Sequence, residues 1–225
     1  AFKKSHAPIK KFDQVRSDFV ANASHELKTP VAGIRLLSEA IRDAAEIEDK
    51  KSLNLFIDRL DNEAERLQRL VIDLLDLSRL EETPDPDRCP RTDLHSAIVT
   101  SFMAHKGEAE DKHLDLVLDD RSVTGDDCYA DMEPSDASLV TFEPRGHEIA
   151  VIVQDTGIGI PQTDQSRIFE RFYRVDKARS REVGGTGLGL SLVRHAVERS
   201  KGRVSVKSNP GEGSQFTVVF PRAKR

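Results

Sequence analysis

Two successive stretches of this chain repeat apolar residues every three or four positions, and no other feature restricts its fold so strongly. Residues 9 to about 47 read as one long helix. At ~100° per residue, Phe12, Phe19, Val20, Ala23, Leu27, Val31, Ile34, Leu37 and Ile41 fall on one broad face, and only Leu36 among the large apolar residues violates it. A second helix is expected from about Lys51 to Leu80, where Leu53, Phe56, Ile57, Leu60, Ala64, Leu67, Val71 and Leu74 form the stripe and Leu70, Leu75 and Leu77 widen it. A short acidic turn with Glu46, Glu48 and Asp49 joins the two into a helical hairpin. One hairpin cannot cover both stripes, so a second copy completing a four-helix bundle is expected, which makes the chain a homodimer.

Pro84, Pro86 and Pro90 stop the helical pattern and mark a linker. Beyond it the texture is mixed α/β. Leu94 to about Met103 reads as a helix, Leu114–Leu118 and Ile149–Val153 as strands, and Leu188–Arg199 as a helix. Arg203–Lys207 and Gln215–Phe220 alternate as strands, with Asn209-Pro210-Gly211 as the turn between them. The expected organisation is helices over residues 1–83, a linker over 84–92, and an α/β domain over 93–225.

Composition removes several classes of function. The net charge of −5, the absence of tryptophan and the 5% aromatic content argue against a nucleic-acid surface. Cys89 and Cys128 show no metal spacing and suit a reducing compartment. No apolar run approaches the ~18–20 residues a membrane helix needs. The basic start at Lys3, Lys4, Lys10 and Lys11 fits a chain that begins just inside a membrane segment, on the cytoplasmic side.

The sharpest signal is Ser24-His25-Glu26-Leu27-Lys28-Thr29-Pro30. A structural histidine would sit on the apolar face, whereas His25 points roughly opposite its centre. Its neighbours one turn away, Ala21, Asn22, Lys28 and Thr29, are small or polar and leave the ring accessible. An imidazole titrates near pH 6.5, so a ring nitrogen is available as a nucleophile at neutral pH. Glu26 is placed to accept or orient the other ring proton, and Pro30 should bend the helix nearby. Zinc chemistry of the His-Glu-x-x-His kind is excluded, because Thr29 stands where the second histidine is required.

Two glycine loops follow. Asp155-Thr156-Gly157-Ile158-Gly159-Ile160-Pro161 directly follows the stronger strand, and a carboxylate there can accept from an exocyclic amine such as that of adenine. Gly184-Gly185-Thr186-Gly187-Leu188-Gly189-Leu190 opens a helix, whose N-terminal N–H groups suit a triphosphate. It is neither a Walker A loop nor the Rossmann fingerprint. Between the two lie Arg167-Ile168-Phe169-Glu170-Arg171-Phe172-Tyr173-Arg174 and the charged run Asp176-Lys177-Ala178-Arg179-Ser180-Arg181, positioned as a nucleotide lid.

Taken in order, these segments resemble the H, G1, F and G2 boxes of the sensor histidine kinases, over nearly the whole chain. The resemblance implies a dimeric helical bundle followed by a GHKL-type α/β sandwich. It implies ATP-dependent phosphorylation of His25, assisted by Glu26, with Thr29 holding water for the reverse loss of the phosphoryl group. The phosphoryl would pass to an aspartate of a response-regulator receiver domain. Asp155, Gly157 and Gly159 would hold adenine, Phe169, Phe172 and Arg174 the F-box region, and Gly185, Thr186, Gly187, Leu188 and Gly189 the phosphates. ATP and Mg²⁺ are the implied cofactors, and the cytoplasmic face of the plasma membrane the implied location. The wording of residues 174–181 is closest to phosphate- or envelope-sensing kinases.

The family's N-box, a helix carrying an asparagine that holds Mg²⁺, is missing from its expected place between Gly125 and Glu148. No asparagine occurs between Asn62 and Asn209, and the interval is short by about one helix, on the order of a dozen residues. Three explanations stay open: residues excised or disordered and so lost from this chain, a degenerate kinase that still dimerises and dephosphorylates, or a cation held instead by Asp126, Asp127 and Asp131.

Overall fold

The computed structural model describes residues 7–82, 93–119, 137–176 and 185–222. The linker prolines, both cysteines, the three aspartates at 126, 127 and 131, and the charged run from Lys177 onward lie outside them. The chain divides into two compact units, one drawn from Ala1–Arg79 and Glu170–Gly189, the other from Leu80–Phe169 and Leu190–Arg225.

The first unit is built on the hairpin of α1 (Ala7–Glu46) and α2 (Lys50–Glu82). Asp49 starts α2 by accepting the N–H groups of Lys51 and Ser52, both at 3.2 Å, and the Ser52 hydroxyl at 2.6 Å. That cap satisfies donors that the first helical turn cannot pair internally. Those hydrogen bonds, the Ser52 side chain first, lower the carboxyl pKa from its ordinary value. Ala23, Pro30, Ala44, Leu70 and Leu77 form the buried seam. Small residues on α1 thus face leucines on α2, and Pro30 lies inside an α1 that continues to Glu46.

Leu27, Ile34, Leu37 and Ile41 of α1 and Leu53, Phe56, Leu60, Leu67 and Leu74 of α2 are half-buried, while other apolar residues stay outside. Val20, Val31, Leu36, Leu55, Ile57, Val71, Ile72 and Leu75 are exposed. Val20 and Val31 belong to the expected apolar face of α1 and are exposed in the single chain.

The second unit carries a five-stranded sheet of order β1-β2-β3-β5-β4, with β1 (Asp115–Asp119), β2 (Ala137–Arg145), β3 (Glu148–Asp155), β4 (Arg203–Asn209) and β5 (Gly213–Pro221). Only β1 and β2 pair in parallel. Helices α3 (Leu94–Asp111), a single turn α4 (Gln162–Gln165) and α5 (Gly189–Arg199) accompany it. One sheet face is apolar, with Leu116 and Leu118 of β1, Val140 and Phe142 of β2, Val151 and Val153 of β3, Phe216 and Val218 of β5, and Val204 and Val206 of β4 in register. Its cover is thin. Val153 in the central strand is 38% exposed, and the 18-residue α3 has no buried residue.

Three elements depart from the sequence reading. α3 runs past Met103 to Asp111, and its last turns are exposed and charged, with no apolar spacing to announce them. Strand β2 falls where no periodicity was read. Pro144 sits in it beyond the five residues that pair with β1, where a missing N–H need cost no ladder bond. The turn α4 was not anticipated.

Candidate functional site

His25 stands on the exposed side of α1, its side chain 80% exposed, with Nδ1 4.0 Å from Oε1 of Glu26. Thr29 donates its hydroxyl to the His25 carbonyl at 3.2 Å, which keeps its oxygen one turn from the ring. Behind Glu26 lies a residue the sequence reading passed over. Arg66 of α2 is only 7% exposed and sits between two carboxylates, 3.6 Å from Glu26 Oε2 and 3.1 Å from Glu63 Oε1. A buried guanidinium needs such partners, and here they anchor the carboxylate beside the histidine. The signal was available: Arg66 lies four residues before Leu70 on the buried side of α2, a charge on an apolar stripe.

In the same unit, the loop before α5 and the turn around Phe172 lie against each other. The Phe172 N–H donates to the Gly187 carbonyl at 2.8 Å. Gly187 has φ +73°, and a Cβ there would come within 2.9 Å of the Phe172 backbone, so only glycine fits. Phe172 itself has φ +62° and stacks on Phe19, with ring centroids 6.0 Å apart, while the Arg171 guanidinium lies 5.0 Å from the Phe19 centroid. The Thr186 hydroxyl donates to Asp73 and accepts from the Leu188 N–H. Leu188 is fully buried, and its N–H is already given to the Thr186 hydroxyl. Gly185 and Gly189 are exposed, and Arg174 is half-buried.

In the second unit, Asp155 ends β3. Its Oδ1 accepts the Gly157 N–H at 2.9 Å, leaving Oδ2 as the acceptor for an incoming donor. The loop that follows is wedged against the β4–β5 turn. A Cβ on Gly159 (φ +70°) would lie 1.9 Å from the Asn209 carbonyl oxygen, and one on Gly213 (φ +93°) 2.0 Å from that of Asp155. The Gly211 N–H donates to the Ile158 carbonyl at 2.8 Å. An open cavity of about 570 Å³ adjoins this junction, lined among others by Asp155, Ser208, Ser214 and the amides of Gln154, Gln162 and Gln165. Phe169 follows α4, half-buried beside the buried Ile168.

An exposed histidine with an anchored carboxylate on a helical hairpin, joined to a sheet bearing a wedged aspartate–glycine loop, defines a phospho-acceptor hairpin coupled to a nucleotide-type domain. Family models agree on both parts. Residues 15–83 match the His Kinase A (phospho-acceptor) domain, and residues 123–224 match the histidine kinase-, DNA gyrase B- and HSP90-like ATPase. The chain belongs to the sensor histidine kinases of two-component systems.

Among its relatives is the sensor-like histidine kinase SenX3 of Mycolicibacterium smegmatis, 38% identical over 232 residues, covering 94% of this chain and 59% of that protein. The sensor histidine kinase WalK of Bacillus subtilis is 33% identical over 94% of this chain and 37% of its own length. The chain thus spans about half, or less, of the relatives it matches. Among solved structures, the histidine kinase ThkA in complex with the response regulator protein TrrA shares the fold at a TM-score of 0.67, with 17% identity over 96% of this chain and 65% of that one. The Acinetobacter baumannii histidine kinase AdeS does so at 0.59, with 20% identity over 89% and 98%.

Proposed function

We propose that this chain is the phosphoryl-transfer portion of a two-component relay, in which ATP phosphorylates His25 and the phosphoryl group passes to an aspartate of a response-regulator receiver domain. The observation that carries the reading is the pairing of an accessible ring with a fixed carboxylate. Glu26 lies on the Nδ1 side of His25 and is held there by Arg66, so Nε2 is the attacking atom. Its lone pair forms the bond to the γ-phosphorus as the bond to the β-phosphate oxygen breaks and ADP leaves, and Glu26 takes the Nδ1 proton. Thr29 would place water for the reverse loss of phosphate. Asp155 would read the exocyclic amine of adenine through Oδ2, while Gly157 and Gly159 admit the base and Gly185, Thr186, Gly187, Leu188 and Gly189 face the phosphates. Phe169, Phe172 and Arg174 would flank the nucleotide.

The relatives' names support the kinase reading, and the ThkA complex supports a receiver-domain partner. The exposed apolar residues of the hairpin support a second copy of this chain as the cover that completes a four-helix bundle. Among the described residues no helix is long and apolar enough to cross a membrane. The sensor-kinase relatives support attachment to the cytoplasmic face of the plasma membrane through a segment outside this sequence.

The described residues do not supply ligands for the Mg²⁺ that the family implies, and Asp126, Asp127 and Asp131 lie outside them. No asparagine lies between Asn62 and Asn209, and among the described residues no group of three or more His, Cys, Asp or Glu could hold a metal. Without such ligands the chain would act as a dimeric docking or phosphatase module lacking a working Mg–ATP site, the alternative that the experiment below decides. The SenX3 alignment, at 232 residues, is longer than the whole 225-residue chain, so that relative carries residues with no counterpart here.

One labelling experiment separates the readings. Incubated with γ-labelled ATP, the protein should gain acid-labile label that His25→Gln abolishes while helicity is unchanged. Label that survives His25→Gln refutes the assigned acceptor. An unlabelled protein that still binds a receiver domain establishes the docking module.

A further inference from the structure

We propose that Ser208 is the positioning residue for the base-reading aspartate, so that its hydroxyl sets the preference for adenine over guanine at Asp155. The inference rests on the nucleotide reading given above. Asp155 ends a strand, and nothing in its own segment fixes where Oδ2 points beyond the Gly157 hydrogen bond. Its placement comes from two neighbours that are distant in sequence. One is the start of β5, where Ser214 is its register partner and Gly213 packs against its carbonyl. The other is the loop from Gly157 to Ile160.

Ser208 is the link between them. A serine hydroxyl has one proton and two lone pairs, and all three are engaged. It donates to the Gly213 carbonyl at 2.7 Å, accepts the Ile160 N–H at 2.7 Å across 48 residues of sequence, and lies 3.1 Å from the Ser214 hydroxyl. With its own proton committed to Gly213, Ser208 receives the Ser214 proton. The Ser208 carbonyl adds a fourth tie, accepting the Gln165 side-chain amide at 2.7 Å, and that same amide reaches the Ile160 carbonyl at 3.0 Å. The base-reading loop, the turn α4 and the start of β5 therefore meet at one residue.

Removing the hydroxyl leaves the sheet ladder intact, because the β4–β5 and β3–β5 pairings use backbone groups. It frees the Ile160 N–H and lets the loop move relative to Asp155. Adenine presents a donor at its exocyclic position where guanine presents an acceptor, so discrimination depends on where the carboxylate is held, more than affinity for the phosphates does.

The test is nucleotide binding by the full 225-residue chain, measured by calorimetry with ATP and with GTP, for the wild type, Ser208→Ala and Ser208→Thr. The expected result for Ser208→Ala is an ATP affinity lowered about tenfold with GTP little changed, so that the ATP-to-GTP ratio falls by a similar factor. Ser208→Thr, which keeps the hydroxyl, should restore the ratio. Equal loss of ATP and GTP affinity, with the ratio preserved, overturns the proposal and leaves Ser208 a structural residue. If the alanine variant does not fold, Ser208→Cys gives the same readout with a similar volume and a weaker hydrogen bond. A wild-type chain that binds neither nucleotide refutes the nucleotide reading itself, a result distinct from an unchanged ratio.

Discussion

In the helical hairpin the proposed acceptor is a side chain that touches little, since His25 is 80% exposed and its helix is held by a seam running elsewhere. Around the sheet, the decisive positions have no side chain at all. Gly159 and Gly213 press bare backbone against the carbonyls of Asn209 and Asp155 at distances no Cβ can occupy. Chemistry and stability are therefore separable in the first region and inseparable in the second. On the hairpin, a substitution can silence the protein and leave it folded. At the loop, a single methyl group should disturb binding and fold together.

The sharpest way to break this contrast is Gly213→Ala. Both its positive φ and the 2.0 Å approach oppose a side chain, and the expected loss is about 3 kcal/mol with nucleotide binding lost as well. Urea unfolding of a variant as stable as the wild type would show that the wedge is not needed. Arg66→Ala comes next, and it tests whether the hairpin also holds a coupled site. It strips Glu26 and Glu63 of their shared cation, and since both carboxylates are partly exposed the expected cost is about 2 kcal/mol. Labelling of His25 should fall further than that loss of stability explains, measured at a temperature where both proteins are folded. Gly211→Ala sharpens the comparison from the other side. Its φ is +85° but nothing lies within 4 Å, so only the backbone cost of about 1 kcal/mol remains.

The smallest effect concerns acid. Asp49 and Asp93 each cap a helix, and hydrogen bonds, chiefly from Ser52 and Ser96, lower both carboxyl pKa values below the ordinary 3.8. A lowered folded-state value means the caps contribute stability above that ordinary value and lose it as pH falls through the depressed one. Circular dichroism at decreasing pH should show fraying at the starts of α2 and α3, and Asp49→Asn combined with Asp93→Asn should flatten this part of the titration.

The two regions were also unequally legible in the sequence. Helical periodicity named both long helices and placed His25 away from the packed face, because a 3.6-residue repeat survives in the letters. It also named Val20 and Val31, which are exposed in the single chain, because periodicity marks an apolar stripe without saying what covers it. Strands β3, β4 and β5 announced themselves by apolar runs or alternation. Strand β2 did not, because Pro144 and the charges of Glu143 and Arg145 hide the face that Val140 and Phe142 supply. The glycine loops were visible as letters, but the wedge of Gly213 against Asp155 was not, because its two halves lie far apart along the chain. Ser208 was missed for the same reason, its partners lying on other elements, whereas Arg66 stood in the sequence as a charge on an apolar stripe.

The strand order has a consequence for how the chain reaches this state. Strands β2 and β3 form a hairpin, as do β4 and β5, and each can close over a turn of a few residues. The ladder between β3 and β5 joins residues such as Gln154 and Gln215, 61 apart, and must overcome a larger closure entropy. The two hairpins should therefore form early and meet late, and pulse-labelled amides between β3 and β5 should gain protection last. Until they meet, the run Ile149-Ala150-Val151-Ile152-Val153 is an open edge without a charge, the kind of segment on which other chains can pair. The event that builds the seat for Asp155 is then also the one that removes the chain's most aggregation-prone strand from solution, and newly made protein that stalls before it is at risk of assembling with its own copies.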